Sequence, residues 1–207
     1  MIRLDIGIKE ETLRRVEKVL AGVPKGAQRA MANAINRGLA KARTEAKKGA
    51  RKVYTVKAGA FSESVYVQVK KASAGDLAGH ISFNGNKLPL YKFQVTPRSP
   101  GSRKAVYVSV KKGSGGTSKH GFIAGMPGGH IGMFSRTGEQ GIEKRKSKTR
   151  DGKGNKHSET IKERMGLAVP QMVGNEEVVR RLEKEAQEMV DKRVEHEISR
   201  ILDGYGG

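Results

Sequence analysis

The spacing of apolar residues changes period twice along this chain, and that change limits the fold more than any other feature. Near the start they recur every three or four residues, the spacing of one face of a helix. Residues 9 to 21 place Leu13, Val16, Val19 and Leu20 on one side, with Glu10 and Glu11 in the first turn and Gly22 as the stop. After Pro24 the same spacing runs to about Arg51 through Ala27, Ala30, Met31, Ala34, Ile35, Leu39, Ala42 and Ala46. Alanines along that stripe let a neighbouring element approach closely. At about 1.5 Å per residue the helix spans on the order of 40 Å, enough to cross a small sheet. Lys41, Arg43, Lys47, Lys48, Arg51 and Lys52 load its second half, where the helix dipole favours cations.

In the middle the period falls to two. Val65, Val67 and Val69 alternate with polar residues, as do Val106, Val108 and Val110, which is the pattern of half-buried strands. Leu77 to Phe83, Leu88 to Phe93, Gly121 to Ala124 and His130 to Arg136 read as further strands. Asn84-Gly-Asn-Lys, Pro97 to Arg103 and Gly113-Ser-Gly-Gly-Thr read as turns. From 137 to 157 apolar content nearly vanishes while Lys144, Arg145, Lys146, Lys148, Arg150, Lys153 and Lys156 accumulate. Such a segment has little to bury and is expected to be a mobile basic loop.

Residues 158 to 173 lead to a last helix over 175–203, with Asn175 as cap, Glu176 and Glu177 in the first turn and Gly204 as stop. Leu182, Ala186, Met189, Val190, Val194, Ile198 and Ile201 form its stripe. Leu182, Met189, Val194, Ile198 and Ile201 are candidates for an interface with a neighbouring subunit. The expected fold is a single α+β domain over 1–207. It comprises a long N-terminal helix packed on a central antiparallel sheet of four to six strands, the basic loop, and a long C-terminal helix.

Composition narrows the function. With 36% apolar residues and no Trp in 207, the chain can build one modest core. Lys and Arg number 41 against 21 acids, a net charge of +20, which calls for a partner of opposite sign: nucleic acid, an acidic membrane surface or an acidic protein. The charge is uneven. From Asn175 onward nine acids face six bases (−3), leaving twelve acids and thirty-five bases (+23) before it. That split suits head-to-tail contact between identical subunits, or equally a solvated helix face. The chain has no Cys, so disulfides, thiolate metal sites and Cys nucleophiles are excluded. Residues Met1 to Ile6 do not open a secretion signal, and no apolar run nears the roughly 20 residues that cross a bilayer. A soluble intracellular product is expected.

Reactive constellations are not visible. His80, His120, His130, His157 and His196 include no pair at metal-binding helical spacing. The Gly-rich stretches at Gly113 and Gly125 to Gly132 match no phosphate-binding pattern. Ser135 and Ser158 have no base or orienting acid nearby in sequence. The chain is therefore read as a non-enzyme without cofactor or metal, and His130 as a hydrogen-bonded strand residue. The seven bases from Lys144 to Lys156 are candidate contacts for a partner or for DNA, with salt-sensitive affinity. They include no aromatic to stack on bases, so base-specific recognition is not expected.

Three segments resemble the prophage minor tail protein Z family, the tail completion proteins of lambda-like long-tailed phages. They are the Ala-rich run from Ala30 to Ala46 followed by Tyr54-Thr-Val-Lys, then Leu88-Pro-Leu-Tyr-Lys-Phe with Gly121 to Arg136, and finally Ile161 to Val173 leading into the last helix. Each motif is weak alone, but together they span most of the chain in the family's order. The chain departs from the pattern at Gly166-Leu167-Ala168, where Gly-Pro-Ser is usual, and in a longer lysine-rich loop.

The resemblance implies a virion structural protein at the head-proximal end of the tail, assembled in the bacterial cytoplasm and arranged as a homo-oligomeric ring. Its partners would be other tail and neck proteins, such as the tail terminator and the head–tail connector, with non-specific contact to passing DNA. It further implies core roles for Phe122, Ile131, Met133 and Phe134, turn roles for Gly125, Gly128 and Gly129, and a Pro170 that sets the approach to the last helix. The rival reading is a basic, non-specific nucleic-acid-binding protein.

Overall fold

The computed structural model describes residues 1–136 and 161–204, so the predicted basic loop lies outside the described residues. The fold is α+β, and the chain divides into two compact units. The first comprises Met1–Lys52, Phe61–Asn86 and Ala168–Gly207; the second comprises Val53–Ala60 and Lys87–Leu167.

The first unit holds the long helices. Strand β1 (Ile2–Ile6) leads to helix α1 (Glu10–Val19) and then to α2 (Gly26–Val53), whose last residue belongs to the second unit. Every position expected on the α2 stripe is buried. A short helix α3 (Ala58–Glu63) falls across the boundary in sequence. Strands β2 (Tyr66–Lys70) and β3 (Gly79–Asn84) follow, and the antiparallel sheet runs β1-β3-β2, with Leu4 opposite Ile81 and Val67 opposite Phe83.

As the central strand, β3 buries Ile81, Ser82 and Phe83. The helix–sheet packing is close at Gly79, where an added Cβ would meet the Ile35 and Leu39 side chains of α2 at 2.8 and 2.9 Å. Asn36 on α2 donates to the Ala72 carbonyl and accepts from its N–H, both at 2.9 Å, which ties the β2–β3 connection to the helix. Val69, expected on the buried face of its strand, is 38% exposed because β2 is an edge strand.

Helix α4 (Val169–Val173), with Pro170 in its first turn, precedes α5 (Glu176–Leu202). Proline fits there because a first-turn N–H has no partner within the helix anyway. The Asn175 side chain accepts from Glu177 N–H and so satisfies one of the orphan donors at the start of α5.

The second unit is β-rich: β4 (Lys87–Pro89), β5 (Gln94–Thr96), β6 (Val106–Lys111), β7 (Ser114–Ser118), β8 (Gly121–Gly125), β9 (Ile131–Arg136), β10 (Ile161–Glu163) and β11 (Met165–Ala168), whose last residue belongs to the first unit. Its strands form three small antiparallel groups, β5-β6-β7, β10-β9-β8 and β11-β4. The expected single central sheet is thus divided, one part in the first unit and three in the second. Val95, Val106, Ile123 and Met133 make the local core, with Leu90, Tyr91 and Val108 packed against it. Thr55 binds β5 and β6 to the N-terminal segment of the unit: its hydroxyl donates to Ser109 O at 2.5 Å and accepts from Gln94 N–H at 3.2 Å.

Two expectations fail here for local reasons. The strand predicted over Leu88–Phe93 ends at Pro89, which cannot donate to a ladder, and Leu90–Lys92 forms a 3-10 turn. The turn predicted at Gly113–Thr117 is confined to its start, where Gly113 has φ +74°, and Ser114 onward pairs with β6 as a strand.

Candidate functional site

The residues expected to face a neighbouring subunit form a wall of their own unit. Leu182, Val194, Ile198 and Ile201 are buried within the chain, so the interface assigned to them is corrected to a core role. Surface already removed from water gains little from a second subunit. Met189 is half-buried and lines a cleft of about 440 Å³ with Arg37, Ala40, Lys41, Thr44 and Arg193. The basic contacts Lys144, Arg145, Lys146, Lys148, Arg150, Lys153 and Lys156 lie outside the described residues.

The long helices α2 and α5 hide two carboxylates that sequence reading missed. Glu197 is fully buried. Arg193 Nη2 lies 2.6 Å from its Oε1, while Arg200 Nη2 and Asn33 Nδ2 donate to Oε2 at 2.8 and 3.1 Å. Glu45 is 2% exposed, with Lys48 at 3.1 Å, Lys41 at 3.3 Å and Arg181 at 3.5 Å. Burial pushes the Glu45 carboxyl up, but hydrogen bonds from Lys48 and Lys41, with their charges, overcome this and hold it below its ordinary range. The Lys41 ammonium is raised in turn by hydrogen bonds to Glu185 and Glu45. A faint signal existed: Glu197 sits one residue before Ile198 on the apolar stripe, with Arg193 and Arg200 one helical turn away on either side.

Charge is handled oppositely in the second unit. Its described residues contain twelve bases and one acid, Glu163. Over the full segments the second unit has nineteen bases and five acids (+14), and the first has twenty-two and sixteen (+6). Glu163 is engaged locally, with its Oε1 2.9 Å from His130 Nε2. His130 lies immediately before β9, and its ring meets that of Phe134 edge-on at 6.3 Å. The Arg136 guanidinium stands 5.5 Å from the Phe122 ring, and Arg164 Nη1 donates to Ser118 Oγ at 3.2 Å. Of the four residues assigned to core by resemblance, Met133 and Phe134 are buried and Phe122 is half-buried. Ile131 is 37% exposed because it pairs with Gly125 near the end of the β8–β9 hairpin. That hairpin turns through Gly128 and Gly129, whose φ values of +91° and +83° suit glycine.

Compared with known proteins, the chain matches no family model, no curated protein and no solved structure. Among the described residues no group of three His, Cys, Asp or Glu is placed to hold a metal ion. No helix among them is long and apolar enough to cross a membrane. A further cleft of the first unit, of about 360 Å³, mixes apolar Leu4, Ile6, Leu182 and Ala186 with charged Asp5, Glu183 and Lys184. Among the described residues, then, the second unit carries a surplus of positive charge.

Proposed function

We propose that this chain is a structural assembly protein of a tailed phage or prophage. In this reading it works at the head-proximal end of the tail, where it completes the tail and joins it to the head. The observation that carries this reading is the segregation of charge. One unit closes its ion pairs on itself, while the other bears twelve described bases against a single acid. A polypeptide standing beside passing DNA, or beside acidic neck proteins, needs such a surface and needs no reactive centre. The order of the motifs from Ala30 to Val173 supports the same reading. The proposed partners are the tail terminator, the head–tail connector and further copies of this chain in a ring. The proposed location is the virion neck.

The test is removal of the coding sequence from the phage or prophage that carries it, followed by electron microscopy of the lysate. The expected result is filled heads and separate, unjoined tails, restored by supplying the chain in trans. Normal infectious particles without the chain would overturn the reading. The same charge surplus favours one other reading, a basic nucleic-acid-binding protein acting outside a particle. Binding to random duplex DNA that stays tight at physiological salt, together with normal particles on deletion, favours that second reading.

A further inference from the structure

The second unit concentrates positive charge around one aromatic ring. Tyr91 follows the Pro89 break, and its ring packs against the local core from the half-buried side. The Arg98 guanidinium carbon lies 4.2 Å from the ring centroid. Its Nη2 donates to the Tyr91 carbonyl at 3.1 Å and its Nη1 to the Phe93 carbonyl at 3.5 Å. The Tyr91 hydroxyl donates back to the Arg98 carbonyl at 3.3 Å. Two main-chain acceptors and a ring face fix the plane of this guanidinium, which an exposed arginine would otherwise lose to rotamer freedom.

A second cation is brought to the same ring from a segment more than thirty residues away in sequence. Lys57 Nζ lies 5.8 Å from the Tyr91 centroid, and the Lys57 N–H donates to the Lys92 carbonyl at 3.1 Å, which anchors the backbone beneath it. Burial first, and then the positive charges of Arg98 and Lys92, push the Lys57 ammonium below its ordinary range. Gathering like charges costs free energy in the empty protein, and a bound anion recovers it. Cation–π attraction to one ring offsets a part of the cost but brings no net negative charge.

We propose that Lys57 and Arg98, gathered about Tyr91, form a phosphodiester-binding site that grips the nucleic-acid backbone. Arg98 supplies the oriented fork and Lys57 the mobile point charge, the two complementary ways of holding a phosphate oxygen. Tyr91 is engaged by both cations and serves as their platform rather than as a stacking surface for a base, so the site is indifferent to sequence. It uses residues separate from the lysine-rich segment at 144–156, and it stands whether or not the chain belongs to a tail.

The test is fluorescence anisotropy of a labelled random duplex of about 20 base pairs with the full chain across a salt series. The variants are Lys57→Gln, Arg98→Gln and Arg98→Lys, with Lys18→Gln and Arg29→Gln in the first unit as charge-matched controls. Lys57→Gln and Arg98→Gln are each expected to weaken binding about fivefold and to lower the logarithmic salt slope by about one. Arg98→Lys is expected to keep the slope while weakening binding less, and the controls to stay near the wild type. Hydrogen exchange over residues 90–98 checks that each variant keeps the local fold, so a loss of binding with unchanged protection is a loss of the site. Binding by Lys57→Gln and Arg98→Gln indistinguishable from the controls overturns the proposal. So does a site that responds only to pyrophosphate, seen as wild-type thermal stabilisation absent from these two variants while duplex binding is unchanged.

Discussion

The two units of this chain solve opposite electrostatic problems. In the first, sixteen acids stand among twenty-two bases and the two least exposed carboxylates, Glu45 and Glu197, are each ringed by cations from the same unit. In the second, among the described residues, one carboxylate answers twelve bases. A buried carboxylate stripped of its cations is costly, so the first unit tolerates little change at these positions. Surplus cations at a surface cost far less, because water and salt screen them. Internal closure distinguishes the first unit; a surplus of positive charge distinguishes the described part of the second, where the proposed anion contact is placed.

The comparison is easiest to break in the first unit. Glu197→Ala leaves Arg193 and Arg200 facing a vacated apolar site, and a loss of about 3 kcal/mol is expected. Leu182→Ala should lose a similar amount, about 2–5 kcal/mol, by opening a cavity beneath α5. Denaturant melts followed by hydrogen exchange on α5 amides measure both, and values below 1 kcal/mol would mean that the α2–α5 seam is not tightly closed.

Gly38→Ala comes next. A Cβ there would lie 2.6 Å from Val190 Cγ2 and 3.3 Å from the Ala186 carbonyl. The clash is expected to outweigh alanine's better helix propensity of about 1 kcal/mol and leave a net loss of roughly 1–2 kcal/mol. A melt showing a gain would mean that the two helices have room to part.

Acid is a third probe. Glu45 and Asp76 are held below their ordinary range in the folded chain, Asp76 chiefly by a hydrogen bond from Lys70. Groups of that kind bind protons more weakly folded than unfolded. Their contribution is therefore full above the ordinary carboxylate range of roughly 4 and is lost as pH falls through the lower folded values. Exchange protection of α2 amides should fall from pH 5 to pH 3, and Glu45→Gln should flatten that dependence.

The smallest effect is expected at Arg180, which is exposed and pairs with Glu176 at 3.3 Å. Arg180→Ala should leave the melting temperature within error, because exposed pairs are screened.

Much of this was legible in the sequence where periodicity is long. The three-and-four spacing in α2 and α5 fixed their extent to within two residues, because a mistaken period would place charges inside. The N-terminal strand has a sequence signal too, short but regular: Ile2, Leu4 and Ile6 alternate with Arg3 and Asp5. Strand β7 was not legible. Ser114-Gly-Gly-Thr-Ser carries no alternating apolar set, and its pairing depends on β6 lying beside it.

The burial of Leu182, Val194, Ile198 and Ile201 illustrates a general ambiguity. An apolar stripe states that a face is covered without stating by what, and here the cover is the chain's own core. Tyr91, Arg98 and Lys57 meet only in three dimensions, and no spacing rule connects them.

Hydrogen-exchange mass spectrometry of the full chain, with and without random duplex DNA at low salt, tests the division of labour most directly. Slowed exchange on addition of DNA should fall within residues 53–60, 87–136 and 161–167, leave α5 unchanged, and disappear as salt rises. Protection centred on α5, or none in those segments while DNA is bound, would contradict the account.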